Sequence, residues 1–271
     1  MPKSSRLMTG VNPPDRERSL LRADLKNAVR GDTQAFGELT SHYFDFAAES
    51  FFMLGWCDDD ERKSALETLF QAIWRSLRFI KRLSDFERAL VVQMLTLSEN
   101  RDRKDSCGPR KMPSLSGESK LLLVAFEMER WDMHSIRLAF RMKSAEVHQR
   151  LLELRTQLLK INLEGLDRKT LGLLERVNLT FDRDLTPRQR KSLIQAVAAC
   201  PIAKQFKAGW MLYRSEMVEL RQQMRTTDAD RGPFLAKLLE HVSETSMAKP
   251  SIADHIVNRV NFTRFPRALI V

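Results

Sequence analysis

Cysteine is scarce and widely spaced in this sequence. The chain has three cysteines, which is an odd number, at Cys57, Cys107 and Cys200. No two of them have the close spacing of a zinc knuckle. We therefore expect no disulfide framework and no bound metal. A reducing cytoplasm is the simplest location for such a chain, and we predict a cytoplasmic protein.

Long apolar runs are lacking as well. No stretch approaches the roughly 18–20 apolar residues that a membrane-spanning helix needs. The first residues are polar, include Pro13-Pro14, and have no apolar segment of the kind found in signal peptides. We expect no membrane partner, and we predict residues 1–18 to be a flexible lead-in.

The motifs of common enzyme sites are also missing. The chain contains no GxxxxGK phosphate loop, no HExxH zinc site and no GxSxG nucleophile turn. None of its histidines sits in a recognisable acid–base pair, the five being His42, His134, His148, His241 and His255. We predict no catalytic residues and no cofactor. A helical enzyme whose site assembles from distant residues is a less favoured alternative.

Helix-forming and basic residues are what the sequence has in abundance. Leu, Arg, Met and Glu are common whereas glycine occurs only 10 times in 271 residues, so we predict an all-α fold. The formal net charge is +10, which suits an acidic partner such as nucleic acid. Solvated Arg and Lys faces of helices would give the same charge.

Apolar residues at helical spacing define an N-terminal domain, predicted at residues 19–104. Gly31-Asp32 ends a first helix, and a second helix carries an aromatic stripe from Phe36 to Phe46. The acidic run Asp58–Glu61 opens a third helix, where negative charge suits the helix dipole. The aromatic side chains are most simply core residues. Residues 105–118 are rich in charge, proline, glycine and serine and are predicted to be a linker.

A helix-turn-helix domain is predicted at residues 119–162. Val147, Leu151, Leu154 and Leu158 keep the spacing of one buried helix face. The pattern breaks before Ser144, whose hydroxyl we predict to cap the second helix. Such a second helix can enter a DNA major groove.

This segment resembles the DNA-reading region of bacterial extracytoplasmic-function sigma factors. The similarity rests on the spacing of Ile136, Phe140, Met142, Val147, Arg150-Leu151, Leu154-Arg155 and Leu158. The resemblance implies binding to promoter DNA, with phosphates contacted by Arg141, Lys143 and Ser144. It places His148, Gln149 and Arg150 nearest the base edges, and it adds Arg155 to the DNA-binding set.

The N-terminal part resembles the polymerase-binding region of the same family. Gly31-Asp32-x-x-Ala35-Phe36-x-x-Leu39 is similar to the opening of that region, and Trp74-Arg75-Ser76-Leu77 to the end of its polymerase-contacting helix. The resemblance implies docking on the RNA polymerase core through a face formed by Leu66, Glu67, Phe70 and Trp74.

A further helical domain is predicted at residues 163–246, followed by a tail at 247–271. Thr186-Pro187 is a strong helix start. Together with Trp210-x-x-Tyr213, it is similar to the small helical domain of anti-sigma factors. That similarity implies an intramolecular regulator in the same chain, or an anti-sigma partner. An ordinary helical hairpin fits the pattern equally well.

The two resemblances together predict a sigma-factor-like transcription regulator. It would bind the RNA polymerase core and promoter DNA to direct transcription initiation, with no catalysis of its own. The alternative is a degenerate sigma relative that binds protein partners and no longer reads DNA. Ala145 and Glu146, which stand where the family prefers Gly and Thr, favour the alternative, because Glu146 adds negative charge near phosphate.

Overall fold

The computed structural model describes residues 15–99, 115–181, 186–224 and 228–245, and every regular element within these ranges is helical. The predicted all-α fold class is confirmed. The helices are α1 (Asp15–Val29), α2 (Thr33–Leu54), α3 (Asp59–Ser76), α4 (Leu83–Glu99), α5 (Gly117–Leu123), α6 (Met133–Phe140), α7 (Ser144–Leu158), α8 (Arg168–Phe181), α9 (Pro187–Ala199), α10 (Pro201–Met224) and α11 (Asp228–Glu244). A 3-10 turn (Leu77–Phe79) follows α3, and a π turn (Val124–Met128) extends α5. None of these described helices is long and apolar enough to cross a membrane.

Several helix ends follow the capping chemistry read from the sequence. The Asp32 carboxylate accepts a hydrogen bond from the first turn of α2, and Gly55 ends that helix with a φ of 115°, a conformation that favours glycine. Asp58 caps α3 in the same way as Asp32 caps α2. Thr186 caps α9, and Pro187 occupies its first position.

Helix α2 is the centre of the N-terminal core, because α1, α3, α4, α5 and α11 all pack against it. Its aromatic stripe is buried, and Phe36, Phe46 and Phe51 are at most 1% exposed. The ring of Phe36 lies 5.0 Å from that of Trp74 on α3, measured between centroids. These side chains are core residues, as the simplest interpretation of the pattern held.

The helix-turn-helix segment packs on the same core. Helix α6 lies against α4, and α5 lies against α2. In the loop between α5 and α6, the ring of Trp131 lies 4.4 Å from that of Phe46. The predicted DNA-reading segment therefore shares its core with the N-terminal helices.

A buried ion pair joins the helix-turn-helix segment to the C-terminal helices. Arg155 on α7 is 0% exposed, and its guanidinium pairs with the carboxylate of Glu127 and donates to Asn178 on α8. The guanidinium carbon lies 5.1 Å from the ring centre of Trp210 on α10. Arg214, also on α10, approaches the other oxygen of Glu127 at 2.9 Å. Glu127 lies in the π turn, which thereby becomes the meeting point of α7, α8 and α10.

Helix α11 packs across α2 and α3. The ring of Phe234 lies 5.0 Å from that of Phe44 on α2, and Leu238 and Val242 are each 1% exposed. Gly37 allows this approach, since a Cβ at that position would lie 3.1 Å from Leu239.

Some predicted boundaries shift. Helix α1 begins at Asp15, so the last residues of the predicted lead-in are helical, and α5 begins at Gly117, inside the end of the predicted linker. Residues 1–14, 100–114 and 246–271, which include most of the predicted linker and all of the predicted tail, lie outside the described residues. Helix α11, which begins at Asp228, lies within the predicted C-terminal helical domain and contains Pro233.

The cysteines depart from expectation. Cys57 is disulfide-bonded, Cys200 is a free thiol, and Cys107 lies outside the described residues. The expectation of no disulfide framework missed the bond of Cys57, because spacing in the sequence says little about distance in the fold. Cysteine usage therefore no longer argues for a reducing compartment.

Candidate nucleic-acid interface

Helices α6 and α7 are separated by a short turn, as a helix-turn-helix requires. Arg141 ends α6 in the left-handed conformation, with a φ of 55°. Lys143, not Ser144, is the N-cap residue of α7, and its backbone N–H donates to the Glu146 carboxylate at 3.3 Å. The predicted Ser144 cap is wrong because the glutamate side chain serves the free amide at this helix start.

Most of the predicted DNA-contacting side chains reach the surface. Arg141 and Lys143 in the turn, and Gln149 and Arg150 on α7, are exposed, whereas Ser144 and His148 are half-buried. Helix α8 packs beside this face, and Asn178 Nδ2 donates to the backbone oxygen of His148 at 3.0 Å.

Arg155 cannot belong to the interface. Its side chain is fully buried and held by Glu127, Asn178 and a ring of aromatic side chains, so no DNA phosphate can reach it. The prediction for this residue is wrong. The sequence correctly predicted that Arg155 lies on a helix, but it did not predict that the side chain faces the protein interior.

Charges of both signs mix on the outer face of α7. Arg150 donates to the Glu153 carboxylate at 3.3 Å, and Gln149 donates to the same group at 2.9 Å. Glu118 on α5 lies close enough to feel the charges of Arg150 and Glu146, and burial raises its pKa. The face predicted to read bases is therefore not strongly positive.

The residues predicted to bind polymerase lie beneath α11. Leu66, Phe70 and Trp74 are at most 4% exposed. Lys237 of α11 forms an ion pair with Glu67 at 2.7 Å, and the indole N–H of Trp74 donates to the backbone oxygen of Thr245 at 3.3 Å. We call the surface formed by Phe44, Leu66, Glu67, Phe70 and Trp74 the α2–α3 face. The structure brings its residues together and covers them.

A groove of about 790 Å³ opens on the other side of the N-terminal helices. We call it the basic groove. Its walls come from α1, from the connection between α3 and α4, and from α6. Among the described residues, no Asp or Glu lines it. Its basic lining residues are Arg18, Arg22, Lys26, Arg30, Arg78, Lys81, Arg82 and His134.

Most of these cations are exposed and unpaired. Arg22, Lys26 and Arg30 follow one another at every fourth position along α1, and Arg78, Lys81 and Arg82 face them from the connection between α3 and α4. None of these six forms an ion pair with a carboxylate of the described residues. Because unpaired cations concentrated in one concave surface reinforce each other's field, the groove attracts polyanions.

The basic groove runs toward the helix-turn-helix. His134 and Leu138 of α6 form part of its wall. Arg137 is exposed beside them, and Arg141 follows one helical turn after Leu138. The two phosphate contacts predicted in the turn, Arg141 and Lys143, therefore extend a positive surface that begins on α1.

Arg18 differs from the other cations because it is neutralised at the floor of the groove. Its guanidinium pairs with Asp132, donates to Ser135, and lies 3.6 Å from Glu87. Tyr43 donates to Glu87 at 3.0 Å. Burial raises the pKa of Glu87 to about 7, although the positive charge of Arg18 opposes this shift. Arg18 thus fixes α1 to α4 and α6 and holds the groove's walls in place.

The raised pKa of Glu87 predicts a pH-dependent stability. The folded chain binds this proton more tightly than the unfolded chain, whose glutamates titrate near 4.5. The contribution of Glu87 to the free energy of unfolding is therefore greatest below pH 4.5. It falls by roughly 2–3 kcal/mol as the pH rises to about 7, and it then levels off. We expect Glu87→Gln to remove this part of the slope in urea unfolding measured from pH 5 to 8.

A second buried carboxyl group, Glu49, also contributes to the pH dependence of stability. Burial raises its pKa to about 8, so it maintains a slope of the same sign in the Glu87→Gln variant, extending to higher pH. The exposed Glu38→Gln variant should keep the full wild-type profile. A Glu38→Gln profile as flat as that of Glu87→Gln would contradict the assignment.

Sequence reasoning missed the basic groove, although part of its signal was visible. Arg22, Lys26 and Arg30 recur with the helical period beside the apolar stripe of Leu21 and Leu25. The described residues contain no group of three or more His, Cys, Asp or Glu side chains that could hold a metal ion.

Comparisons of the chain with protein-family models, curated proteins and solved structures find no match.

Proposed function

We propose that this chain is a sigma-factor-like transcription regulator that acts on promoter DNA and the RNA polymerase core. The observation that carries the proposal is the basic groove, whose six exposed and unpaired cations continue through α6 to Arg141 and Lys143. DNA phosphates would lie along this surface, and Gln149 and Arg150 would lie nearest the bases.

Electrostatics makes the groove the main source of affinity in this proposal. Each phosphate neutralised by a cation releases condensed counterions, so the logarithm of the binding constant falls by about 0.9 per contact for each unit of log salt. The mixed charges on α7 add little to that term. Binding would thus depend on α1 and α4 for strength and on α7 for any sequence preference.

Helix α11 gives the proposal its regulatory part. Polymerase would contact the α2–α3 face, which α11 covers through Phe234, Leu238 and the Lys237–Glu67 ion pair. The chain would then bind polymerase only when α11 dissociates from the α2–α3 face. This proposal puts the regulating segment in α11, whereas the similarity to anti-sigma factors lies on the preceding helices α9 and α10.

Charge reversal in the groove tests the DNA part. We expect Arg22→Glu with Lys26→Glu to weaken binding to duplex DNA by at least about tenfold near 0.1 M salt, and to reduce the salt slope by about 2. Fluorescence anisotropy over a salt series measures both values. Both side chains are exposed on α1, so folding should be unaffected.

The matched control reverses two exposed cations elsewhere. Arg188→Glu with Lys191→Glu makes the same change of charge on α9, away from the groove. It should leave the salt slope within error of wild type. Equal losses in both variants would mean that net charge alone drives binding, and the groove assignment would fail.

A second candidate function is a protein-binding regulator that does not read DNA. The pairing of Gln149 and Arg150 with Glu153 favours it, because these side chains would have to exchange their partners for bases. Polymerase binding without any salt-dependent DNA binding would support this candidate over the first.

A further inference from the structure

A second concave surface lies between α8, α9 and α10, far along the chain from the basic groove. This cleft has a volume of about 450 Å³, within the range of small-molecule sites. Its walls are mainly apolar, with Phe181 from α8, Leu193 and Val197 from α9, and Met211 from α10. We call it the α8–α10 cleft.

Exposed apolar side chains mark its mouth. Ile194 is 62% exposed and Met211 is 54% exposed, and both line the cleft. Large apolar side chains of this kind are costly to leave in water, so a ligand that covers them gains their burial.

Positive charge accompanies the apolar lining. Lys207 and Arg214 lie about two turns apart along the α10 wall, and Lys207 has no ion pair with a carboxylate of the described residues. Arg214 already holds Glu127 at 2.9 Å, which fixes its position. Helix α9 contributes only apolar side chains to the cleft lining. Among the described residues, no carboxylate lines the cleft.

We infer that the α8–α10 cleft binds an amphiphilic carboxylate. Its hydrocarbon part would lie against Leu193, Val197 and Met211, and its carboxylate would pair with Lys207 at the mouth. The inference does not depend on DNA or polymerase binding. It rests on the combination of apolar walls, exposed apolar rims and unopposed positive charge.

Calorimetric titration of the full chain with sodium decanoate, below its micelle concentration, tests the inference. We expect one binding site, with clearly weaker binding of decanol and of decyltrimethylammonium. Met211→Trp should abolish binding by filling the mouth with a larger ring. Lys207→Gln should weaken decanoate binding about tenfold while leaving decanol binding unchanged, since only the charged partner is lost.

Leu212→Trp provides the matched control. Leu212 neighbours Met211 on α10 and is 64% exposed, but it does not line the cleft, so its variant should bind decanoate like wild type. If Met211→Trp lowers the melting temperature, Ile194→Trp blocks the same mouth from α9. Three results would each overturn the inference. They are the absence of decanoate binding, wild-type binding of decanoate by Met211→Trp and Ile194→Trp, and an affinity for decyltrimethylammonium equal to that for decanoate.

Discussion

Replacing Arg155 with alanine should lower the free energy of unfolding by about 3–5 kcal/mol, because the change leaves a buried carboxylate without its main partner. Arg155 is 0% exposed, and Glu127 and Asn178 both depend on its guanidinium. The aromatic rings around the guanidinium would also lose contacts, which adds a cavity to the lost charge pair. Urea unfolding followed by circular dichroism measures the loss.

Arg150→Ala is the matched control for this prediction. Arg150 lies on the same helix and also pairs with a glutamate, but its side chain is 47% exposed. Exposed pairs contribute only about 0.2–1 kcal/mol. The double variant Arg155→Met with Glu127→Met should regain most of the stability lost by Arg155→Ala, since it removes both fully buried charges and leaves only the partly exposed Arg214 without its carboxylate. Equal losses for Arg150→Ala and Arg155→Ala would contradict the buried position of Arg155.

Leu238→Ala should loosen α11 and raise the affinity for the RNA polymerase core. Leu238 is 1% exposed on the helix that covers the α2–α3 face. Removing a buried leucine side chain costs about 2–5 kcal/mol. If α11 leaves its seat without global unfolding, its open population rises at least about 30-fold, and the apparent affinity for polymerase rises with it. Hydrogen exchange in α3 reports the opening, and capture of purified core polymerase reports the binding.

Leu212→Ala controls for the loss of a leucine side chain. Because Leu212 is 64% exposed on α10, its truncation should change neither hydrogen exchange in α3 nor polymerase capture. Faster exchange in α3 with unchanged capture would show that α11 opens and that the α2–α3 face is not the polymerase surface. That outcome would favour the search for a different partner of the same face.

Local chemistry explains which parts of the fold were predictable. Helix starts at Asp58 and Thr186 and the helix end at Gly55 depend on a few neighbouring residues, and each lies where the sequence indicates. The break between α6 and α7 is equally local, since Arg141 adopts the left-handed conformation that ends a helix. Only the identity of the capping residue was misassigned.

Long-range packing explains what was not predictable. Arg155 meets Glu127 and Asn178 from positions 28 and 23 residues away. Its position four residues after Leu151 places it on the buried face of its helix, but nothing local identifies its partners. Lys237 meets Glu67 across 170 residues, so the covering of the α2–α3 face has no local signature. The basic groove likewise requires α1 and α4 to be placed side by side before its charges form one surface.

Arg214 and Arg221 of α10 connect the C-terminal helices to carboxylates in the preceding part of the chain. Arg221 pairs with Glu49 on α2 at 3.0 Å, pairs with Glu129, and donates to the backbone oxygen of Met128 at 2.6 Å. Cutting the chain before α8 would remove Arg214 and Arg221 together with the helices that pack on α2, α3, α7 and the π turn, so buried apolar side chains of the N-terminal part would become exposed to water. Protein fragments ending near residue 162 should consequently be recovered as aggregates, and loss of partner binding by such fragments would report misfolding and not the absence of a binding module.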